Sequence, residues 1–337
     1  MRIFLTGATG FVGHHVARAL ADEGANLHLL VRRSSSLKHL EGIPGDTVVG
    51  DLARPESYAP ALQGCDAVVH VAADYRLWIR DPDSMYRVNV DGTRDLLRLA
   101  REAHVPRIVY TSSVATMHFR TDGIVINEDT PVSLADMVGH YKRSKFLAEQ
   151  QAIAAAQDGQ QVIILNPTTP IGPYDVKPTP TGRIFVDFLN HKFPAYMDTG
   201  LNLVDVVEVA RAHVAALTLG TPGRRYILGG ENLTLKQILD KMSAITGIPS
   251  PTMKVPFAVA LTYAFFEEWI TGHIGGHEPR ATLEEVRMGR KKMFASSARA
   301  QQELGFRIVP VYPAMRAAID WFRANGYAPP APTQAQG

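Results

Sequence analysis

The stretch Arg2-Ile-Phe-Leu-Thr-Gly-Ala-Thr-Gly-Phe-Val-Gly13 decides the fold. Its first five residues are typical of a buried strand, and the apolar periodicity of residues 11–23 predicts a helix directly after the glycines. Gly7 allows a tight turn, Gly10 allows the backbone to approach a phosphate, and Gly13 allows the helix to pack closely on the strand. The helix N-terminus offers free N–H groups and partial positive charge, so this stretch predicts a pyrophosphate site.

Short apolar runs alternate with helix-length segments through the first half of the chain. In order, the predicted elements are Arg2–Thr6, Phe11–Glu23, Asn26–Val31, Thr47–Val49, Ala67–Val71, Asp91–Ala103, Arg107–Thr111, Lys142–Gln157 and Val162–Leu165. The strands are continuously apolar, which is typical of strands buried on both faces of a parallel sheet. We therefore predict an α/β fold with a Rossmann-type, doubly wound parallel sheet and a smaller C-terminal cap.

The sequence changes in character beyond the last of these strands. Residues 166–182 are dense in Pro, Thr and Gly, which disfavours a regular helix and predicts an irregular segment that lines a substrate cleft. A helix at 206–219 and a strand at 225–228 then return the chain to the sheet. The predicted division is a dinucleotide-binding domain of residues 1–166 with a return segment at about 203–229, a substrate-binding cap of residues 167–202 and 230–327, and a mobile tail of residues 328–337.

Composition argues against several classes of function. Charged residues make up 20% of the chain and the net charge is +2, so no excess charge favours a nucleic acid partner. A single cysteine, Cys65, and histidines without zinc-ligand spacing predict neither disulfides nor a metal site. The N-terminal strand leaves no room for a signal peptide, so we expect a cytoplasmic protein. The apolar run Val255–Ile270 contains Glu267 and Glu268 and predicts a packed cap helix, with contact at a membrane surface as the alternative.

The residues after the second strand indicate which dinucleotide binds. An acid that holds the ribose 2′-hydroxyl of NAD is expected roughly 20 residues past the glycines. This chain has Arg32-Arg33 there, with Lys38 and three serines close by. A guanidinium pairs with a 2′-phosphate and stacks on adenine, so we predict NADP(H) as the preferred cofactor and NAD(H) as the alternative. The competing interpretation is an ordinary pair of surface arginines.

The segment Tyr141-Lys-Arg-Ser-Lys145 carries the predicted chemistry. A tyrosine and a lysine four residues apart share one face of a helix. An ammonium beside a phenol lowers a pKa that starts near 10, which makes Tyr141 a usable proton donor or acceptor near neutrality. Lys145 can also hold a nicotinamide ribose. The strand 107–111 ends in Thr111-Ser112-Ser113 at the sheet edge where ligands of open α/β folds bind, so a serine there can hydrogen-bond the reacting oxygen and Tyr141.

With strand, glycine turn, serine pair and Tyr/Lys helix in this order, the chain resembles the extended short-chain dehydrogenase/reductase superfamily over nearly its whole length. The resemblance implies that Ser113, Tyr141 and Lys145 are catalytic, that Asn89 braces the fold, and that the protein forms a homodimer. Together with the residues discussed above, it implies cofactor contacts by Gly7, Thr9, Gly10, Phe11, Val12, Gly13, Arg32, Lys38, Asp51, Leu52, Val71, Ala72, Ala73, Thr111, Tyr141, Lys145, Pro167 and Thr168. The plain alternatives are a helix cap at Asn89, a turn at Asp51 and a strand end at Pro167.

Two branches of that superfamily resemble this chain more narrowly. Residues 70–78, 139–149, 178–184, 198–204 and 226–234 are similar to the hopanoid-associated sugar epimerases of bacteria, which implies a hydride returned to the substrate. The arginine at position 32 and the cap pattern resemble the dihydroflavonol-reductase and hydroxysteroid-dehydrogenase branches, which implies an NADPH-dependent ketone reductase. A non-catalytic dinucleotide-sensing protein is the third hypothesis, and the intact catalytic trio argues against it.

Details of the cap bear on the substrate, which we expect to be a small molecule: a sugar, a nucleotide sugar, or a terpenoid- or flavonoid-like ketone. Nucleotide-sugar epimerases commonly grip diphosphate with an Arg-Asp pair where this chain has Leu201-Asn202, although Lys177, Arg183 or Lys192 could substitute. Sugar dehydratases place an acid pair just after the active-site hydroxyl, where this chain has Val-Ala-Thr-Met, so dehydration is disfavoured. Candidate substrate contacts are Asp74, Tyr75, Trp78, Ser113, Tyr174, Arg183 and Tyr196.

Overall fold

A computed structural model of the chain describes residues 1–76, 79, 81–119, 123–273, 286, 289 and 291–330. The predicted substrate contact Trp78 lies outside the described residues, as do residues 331–337 of the predicted tail.

A seven-stranded, wholly parallel sheet occupies the centre of the fold. Its strand order is β3-β2-β1-β4-β5-β6-β9, so the order reverses between β1 and β4. Ligands of open α/β sheets bind at the carboxyl ends of the strands beside such a reversal. The predicted fold class is confirmed. With numbering along the chain, the strands are β1 Arg2–Thr6, β2 Asn26–Val31, β3 Asp46–Val49, β4 Ala67–His70, β5 Arg107–Thr111, β6 Val162–Pro167 and β9 Arg225–Leu228.

Helices cover both faces of this sheet and create two separate apolar cores. Successive strand residues enter opposite cores. Phe4 lies in the core beneath the third and fourth helices, and Leu5 lies in the core beneath the first and sixth helices. Both faces are therefore dry, which explains why the strands lack polar alternation. The helices concerned are α1 Phe11–Asp22, α2 Pro82–Tyr86, α3 Gly92–Glu102, α4 Gly139–Gln157 and α6 Val206–Ala216.

A second, smaller sheet and its helices lie beyond the carboxyl end of β6. Strand β8 (Gly200–Asp205) pairs with β7 (Thr169–Ile171), β10 (Glu231–Thr234) and β11 (Lys292–Met293). A third apolar core, which includes Phe185, Leu239 and Phe322, joins this sheet to its helices. The remaining helices are α5 Pro180–Leu189, α7 Leu235–Thr246, α8 Phe257–His273, α9 Ala298–Leu304 and α10 Tyr312–Ala324.

The Pro-rich segment is more ordered than its composition suggested. Residues 166–182 contain the whole of β7 and the first turn of α5, where Thr179 accepts a hydrogen bond from the Gly182 N–H at 3.1 Å. Pro180 is tolerated because the first helical position has no intrahelical partner for an N–H. The expectation of a wholly irregular segment is therefore wrong at both ends of it.

The division into two domains stays a prediction. Residues at two positions illustrate why the boundary is difficult to read from sequence. Ala300 and Leu304 of α9, within the stretch assigned to the cap, pack in the core between α1, α6 and the large sheet.

Helix α8 presents apolar side chains at the surface: Val259 is 57% exposed and Phe265 is 53% exposed. Within the described ranges, no helix combines the length and the hydropathy needed to cross a membrane. Contact with a membrane surface stays a prediction.

Candidate active site

The turn between β1 and α1 forms a cradle that only glycines can line. Gly7 has φ +83°, and a Cβ there would lie 2.6 Å from the Ala72 nitrogen. A Cβ at Gly13 would clash with the Gly7 carbonyl, whereas one at Gly10 would meet nothing nearer than 3.3 Å. Gly10 is exposed, and no side chain caps the first turn of α1. The open backbone N–H groups fit the predicted pyrophosphate.

The three glycines therefore predict separable effects. Gly10→Ala should change the melting temperature much less than Gly13→Ala and weaken dinucleotide binding, because its methyl group meets only the Gly7 carbonyl oxygen, at 3.3 Å, on the side where a phosphate would lie. Gly13→Ala should lower the free energy of unfolding by about 2 kcal/mol, because the helix must move off the strand. Calorimetric melting and titration with NADPH check both variants. Equal melting temperatures for the two variants would contradict this account.

The predicted 2′-phosphate residues lie at the same sheet edge. Arg32 and Arg33 follow β2 directly and are exposed, and neither forms an ion pair with any side chain that the structure describes. Lys38 is exposed on a short 3-10 turn a few residues on. After β3, Asp51 closes its own turn by accepting the Ala53 N–H at 3.0 Å. Leu52 packs under the third helix.

The loop after β4 is held against the cradle. The Ala72 N–H donates to the Thr6 hydroxyl at 3.2 Å, which fixes residues 71–73 beside the glycine turn. At the end of β6, Pro167 and Thr168 are buried, and Thr168 bonds the Leu228 carbonyl through both its N–H and its hydroxyl. The structure thus brings the predicted cofactor residues of β1, β2, β4 and β6 to one edge.

The catalytic trio assembles at this edge. Tyr141 lies in the first turn of α4, and its hydroxyl lies near enough to the Ser113 side chain for that side chain to favour a lower pKa of Tyr141. Ser113 Oγ also accepts the Ala115 N–H at 3.0 Å, which orients the hydroxyl. Lys145 follows one turn along the helix and is only 3% exposed. Its Nζ donates to the Thr111 carbonyl at 3.0 Å and to the neighbouring Tyr110 hydroxyl at 3.3 Å.

The electrostatics of the trio differ from the expectation. Burial raises the pKa of Tyr141, and the hydrogen bond with Ser113 offsets only part of this. Burial also lowers the pKa of Lys145 to about 8, although Glu149 one turn further opposes this. We predicted that Lys145 lowers the pKa of Tyr141, and for the protein without a cofactor this prediction is wrong. The ammonium is instead hydrogen-bonded to the Thr111 carbonyl and the Tyr110 hydroxyl.

Asn89 joins three elements behind the trio. It lies in a π-helical turn, Arg87–Asp91, between α2 and α3, and such turns are frequent at functional sites. Its side-chain amide donates to the Ser144 hydroxyl of α4 at 3.0 Å and to the Asp74 carbonyl at 2.9 Å, and its oxygen accepts the Asp74 N–H at 2.7 Å. This geometry matches the bracing role and not that of a helix cap.

The candidate substrate residues divide into two groups. Tyr75 lies near both Tyr141 and Arg183. Burial raises the pKa of Tyr75 to about 12; Asp175, Asp74 and Tyr141 add smaller contributions in the same direction, and Arg183 opposes them. Tyr174, in contrast, stacks on His14 of α1 with ring centroids 4.2 Å apart. Tyr196 pairs with Lys254 through the backbone and packs on the third core. The carboxylate of Asp74 forms an ion pair with Arg76.

Leu201 and Asn202 stand where a nucleotide-sugar epimerase would carry its Arg-Asp pair, and Asn202 takes the second of these positions. It is fully buried, and its amide nitrogen bonds Asn232 Oδ1 at 2.7 Å and the carbonyls of Gly230 and Ala295. Its oxygen accepts the Gly230 N–H at 2.7 Å. Asn202 therefore holds the small sheet together. Of the predicted substitutes, Lys192 pairs with Asp187 and Lys177 is exposed.

Sequence reasoning missed one buried acid next to this group. Asp175 is 1% exposed and accepts hydrogen bonds from the Thr179 N–H at 2.9 Å and hydroxyl at 2.8 Å. Burial raises its pKa to about 6. The only signal in the sequence was its place in the Pro-rich segment, because its burial depends on contacts with distant elements.

The fold and site define a dinucleotide-dependent oxidoreductase of the extended short-chain type. The NAD dependent epimerase/dehydratase family matches residues 3–229, and the chain belongs to this family.

Relatives extend the similarity over the whole chain. It is 44% identical to the "Putative dihydroflavonol 4-reductase" of Synechocystis, over 96% of this chain and 95% of that protein. It is 31% identical to sterol demethylase protein B of Methylococcus capsulatus, over 97% and 99%. Among solved structures, gox2253 superimposes with a TM-score of 0.87 at 44% identity, covering 97% of this chain and 99% of that one. PA4631, a nucleoside-diphosphate-sugar epimerase from Pseudomonas aeruginosa, gives 0.81 at 28%, with the same coverage.

Proposed function

We propose that this protein is an NADP(H)-dependent oxidoreductase that reduces a ketone to a secondary alcohol, with Tyr141 as the proton donor. The observation that carries the proposal is that the side chains of Tyr141 and Ser113 meet at the carboxyl edge of the sheet, beside the glycine cradle and one helical turn from Lys145. A bound nicotinamide would supply the hydride. Gly10, Arg32 and Lys145 would hold its phosphates, 2′-phosphate and ribose.

The residues of this chain then handle the oxygen of the substrate. The Ser113 and Tyr141 hydroxyls converge, so both can hydrogen-bond a carbonyl oxygen and polarise it for hydride attack. As the carbonyl is reduced, the Tyr141 proton passes to that oxygen. Burial keeps the pKa of Tyr141 above its ordinary value, so the phenol is protonated at neutral pH. A protonated phenol suits reduction better than oxidation.

The pair Leu201-Asn202 supports a substrate without a nucleotide diphosphate. Leu201 replaces the arginine and offers no charge, and the Asn202 amide is buried and bonded to the protein itself, so neither residue offers a guanidinium to a phosphate. The 2-alkyl-3-oxoalkanoate reductase of Shewanella oneidensis, 30% identical over 76% of this chain, is likewise named for ketone reduction. A sugar epimerase is the second candidate, and the likeness to PA4631 favours it.

A panel of ketones and nucleotide sugars tests the proposal. We expect stoichiometric loss of NADPH absorbance with a ketone and none with a nucleotide sugar. Tyr141→Phe should lower kcat by at least about 1000-fold and leave NADPH affinity within about twofold, because the change removes only the transferred proton. Inverted sugar product without net NADPH loss would instead identify an epimerase. A Tyr141→Phe variant that still reduced ketones at the wild-type rate would refute the assignment of the proton donor.

The choice of cofactor depends on Arg32. Arg32→Ala should raise the Kd for NADPH by about tenfold or more and leave the Kd for NADH unchanged, since a charge-assisted contact to the 2′-phosphate is lost. Arg101→Ala is the matched control, because Arg101 is also exposed but lies on α3. Fluorescence titration measures both constants. A wild-type protein that binds NADH as tightly as NADPH would contradict the preference.

The rate of ketone reduction should depend on pH through Lys145. Because burial lowers the pKa of Lys145 to about 8, its side chain is a charged ammonium below that pH and a neutral amine above it. We expect reduction at saturating NADPH to be constant from about pH 6 to 7.5 and to fall above about pH 8. A rate that kept rising to pH 10 would show that the charged ammonium is not required.

A further inference from the structure

A set of buried polar groups lies behind Lys145 and has no part in the proposed reaction. Tyr110 on β5 is 1% exposed, and Thr93 on α3 and His70 on β4 are each 2% exposed. Besides its bond to Lys145, the Tyr110 hydroxyl lies near the Thr93 and Ser112 side chains, which oppose the rise in its pKa that burial causes. Burying a polar group costs free energy unless the group is hydrogen-bonded, so a cluster of buried polar groups is expected to have a role.

The hydrogen bonds fix where each proton lies. The Thr93 hydroxyl donates to the Asn89 carbonyl at 2.7 Å, so it accepts at its other contact, 3.0 Å from His70 Nε2. His70 Nε2 therefore carries the proton, and His70 Nδ1 accepts from the Thr6 hydroxyl at 2.7 Å. Burial, with a smaller contribution from Lys145, lowers the pKa of His70 to about 3. His70 is thus a neutral group.

The same set returns to the catalytic helix. The Asn89 amide donates to the Ser144 hydroxyl at 3.0 Å, and Ser144 donates to the Tyr141 carbonyl at 2.9 Å. The bonds from Thr93 through Asn89 and Ser144 therefore tie this set to the first turn of α4. The groups that face Lys145 are neutral His70 from β4, neutral Tyr110 from β5, and Tyr141 and Glu149 from its own helix.

We propose that Tyr110 is a positioning residue for Lys145: its hydroxyl accepts a hydrogen bond from the ammonium and keeps it charged at the site. The proposal rests on the proposed function, since it supplies the charge that the reaction uses. The Thr111 carbonyl and the Tyr110 hydroxyl accept two of the three N–H groups, which leaves one for a ligand on the open side.

Removing the Tyr110 hydroxyl should therefore discharge Lys145 at a lower pH. A buried ammonium that loses an acceptor keeps the cost of burial without the compensating bond. In Tyr110→Phe we expect the titration midpoint of Lys145 to fall by about one pH unit. The ring remains, so the packing of the apolar core is preserved.

Tyr58→Phe is the matched control. Tyr58 is fully buried in the same apolar core as Tyr110, and its hydroxyl has no hydrogen-bond partner among the residues that the structure describes. The two variants make the same chemical change in the same core. Only the variant at position 110 removes a bond to Lys145.

Two measurements decide the matter. In protein with 13C-labelled lysine, the Cε signal that is lost in Lys145→Arg reports the charge of Lys145 without any turnover. Its midpoint should fall by about one unit in Tyr110→Phe and stay at the wild-type value in Tyr58→Phe. With NADPH and a reducible ketone, the pH at which kcat falls on the alkaline side should also decrease by about one unit. The KM for the ketone should stay within about twofold of the wild-type value.

The outcomes separate this proposal from the proposed function. An unchanged Lys145 midpoint in a folded Tyr110→Phe variant overturns the positioning role, whatever the activity. A shifted midpoint in a protein that reduces no ketone upholds the role and refutes the function. Should Tyr110→Phe fail to fold, Thr93→Val, which removes a polar side chain beside the Tyr110 hydroxyl, must also lower the midpoint. A wild-type midpoint in that variant also overturns the proposal.

Discussion

A parallel sheet places the carboxyl ends of all its strands at one edge, and the whole candidate site depends on that constraint. Residues far apart in sequence, such as Gly10, Ser113 and Thr168, follow different strands and arrive at the same edge for this reason. The approach of α1 to β1 at Gly13 then fixes how close a phosphate can come to the backbone. Replacing this packing would displace every other residue of the site relative to the cofactor.

The second determinant of the site is a charge buried where water cannot reach it. An ammonium away from solvent is unfavourable unless acceptors surround it, and Lys145 has the Thr111 carbonyl, the Tyr110 hydroxyl and the carboxylate of Glu149 nearby. Burial raises the pKa of Tyr141, whereas it lowers that of Lys145, because in both residues burial favours the neutral form. The trio therefore rests as a charged lysine beside a protonated tyrosine, which is the state that ketone reduction requires.

Sequence patterns predicted the parts of the molecule whose structure is locally determined. The strands Arg2–Thr6, Asn26–Val31, Arg107–Thr111 and Arg225–Leu228 have the predicted bounds, because a continuous apolar run begins and ends with the strand itself. The glycine turn could also be predicted from the sequence, because a side chain at Gly7 or Gly13 would collide with neighbouring backbone atoms.

What the sequence did not predict depends on contacts between distant segments. Tyr174 appeared to belong to the cleft, yet its ring stacks on His14, 160 positions earlier, a contact that no local pattern encodes. The burial of Asp175 and the bonding of Asn202 arise in the same way. The pKa of Tyr141 was misjudged because spacing shows which residues share a helix face but not which acceptor the lysine chooses.

The central claim is a net hydride transfer from NADPH to a ketone carbon, and isotope transfer tests it most directly. With NADPH deuterated at the transferred position, mass spectrometry of the alcohol should find one deuterium at the new carbinol carbon for each NADPH oxidised. A product that has changed configuration but carries no deuterium, with the cofactor still reduced, would contradict the account.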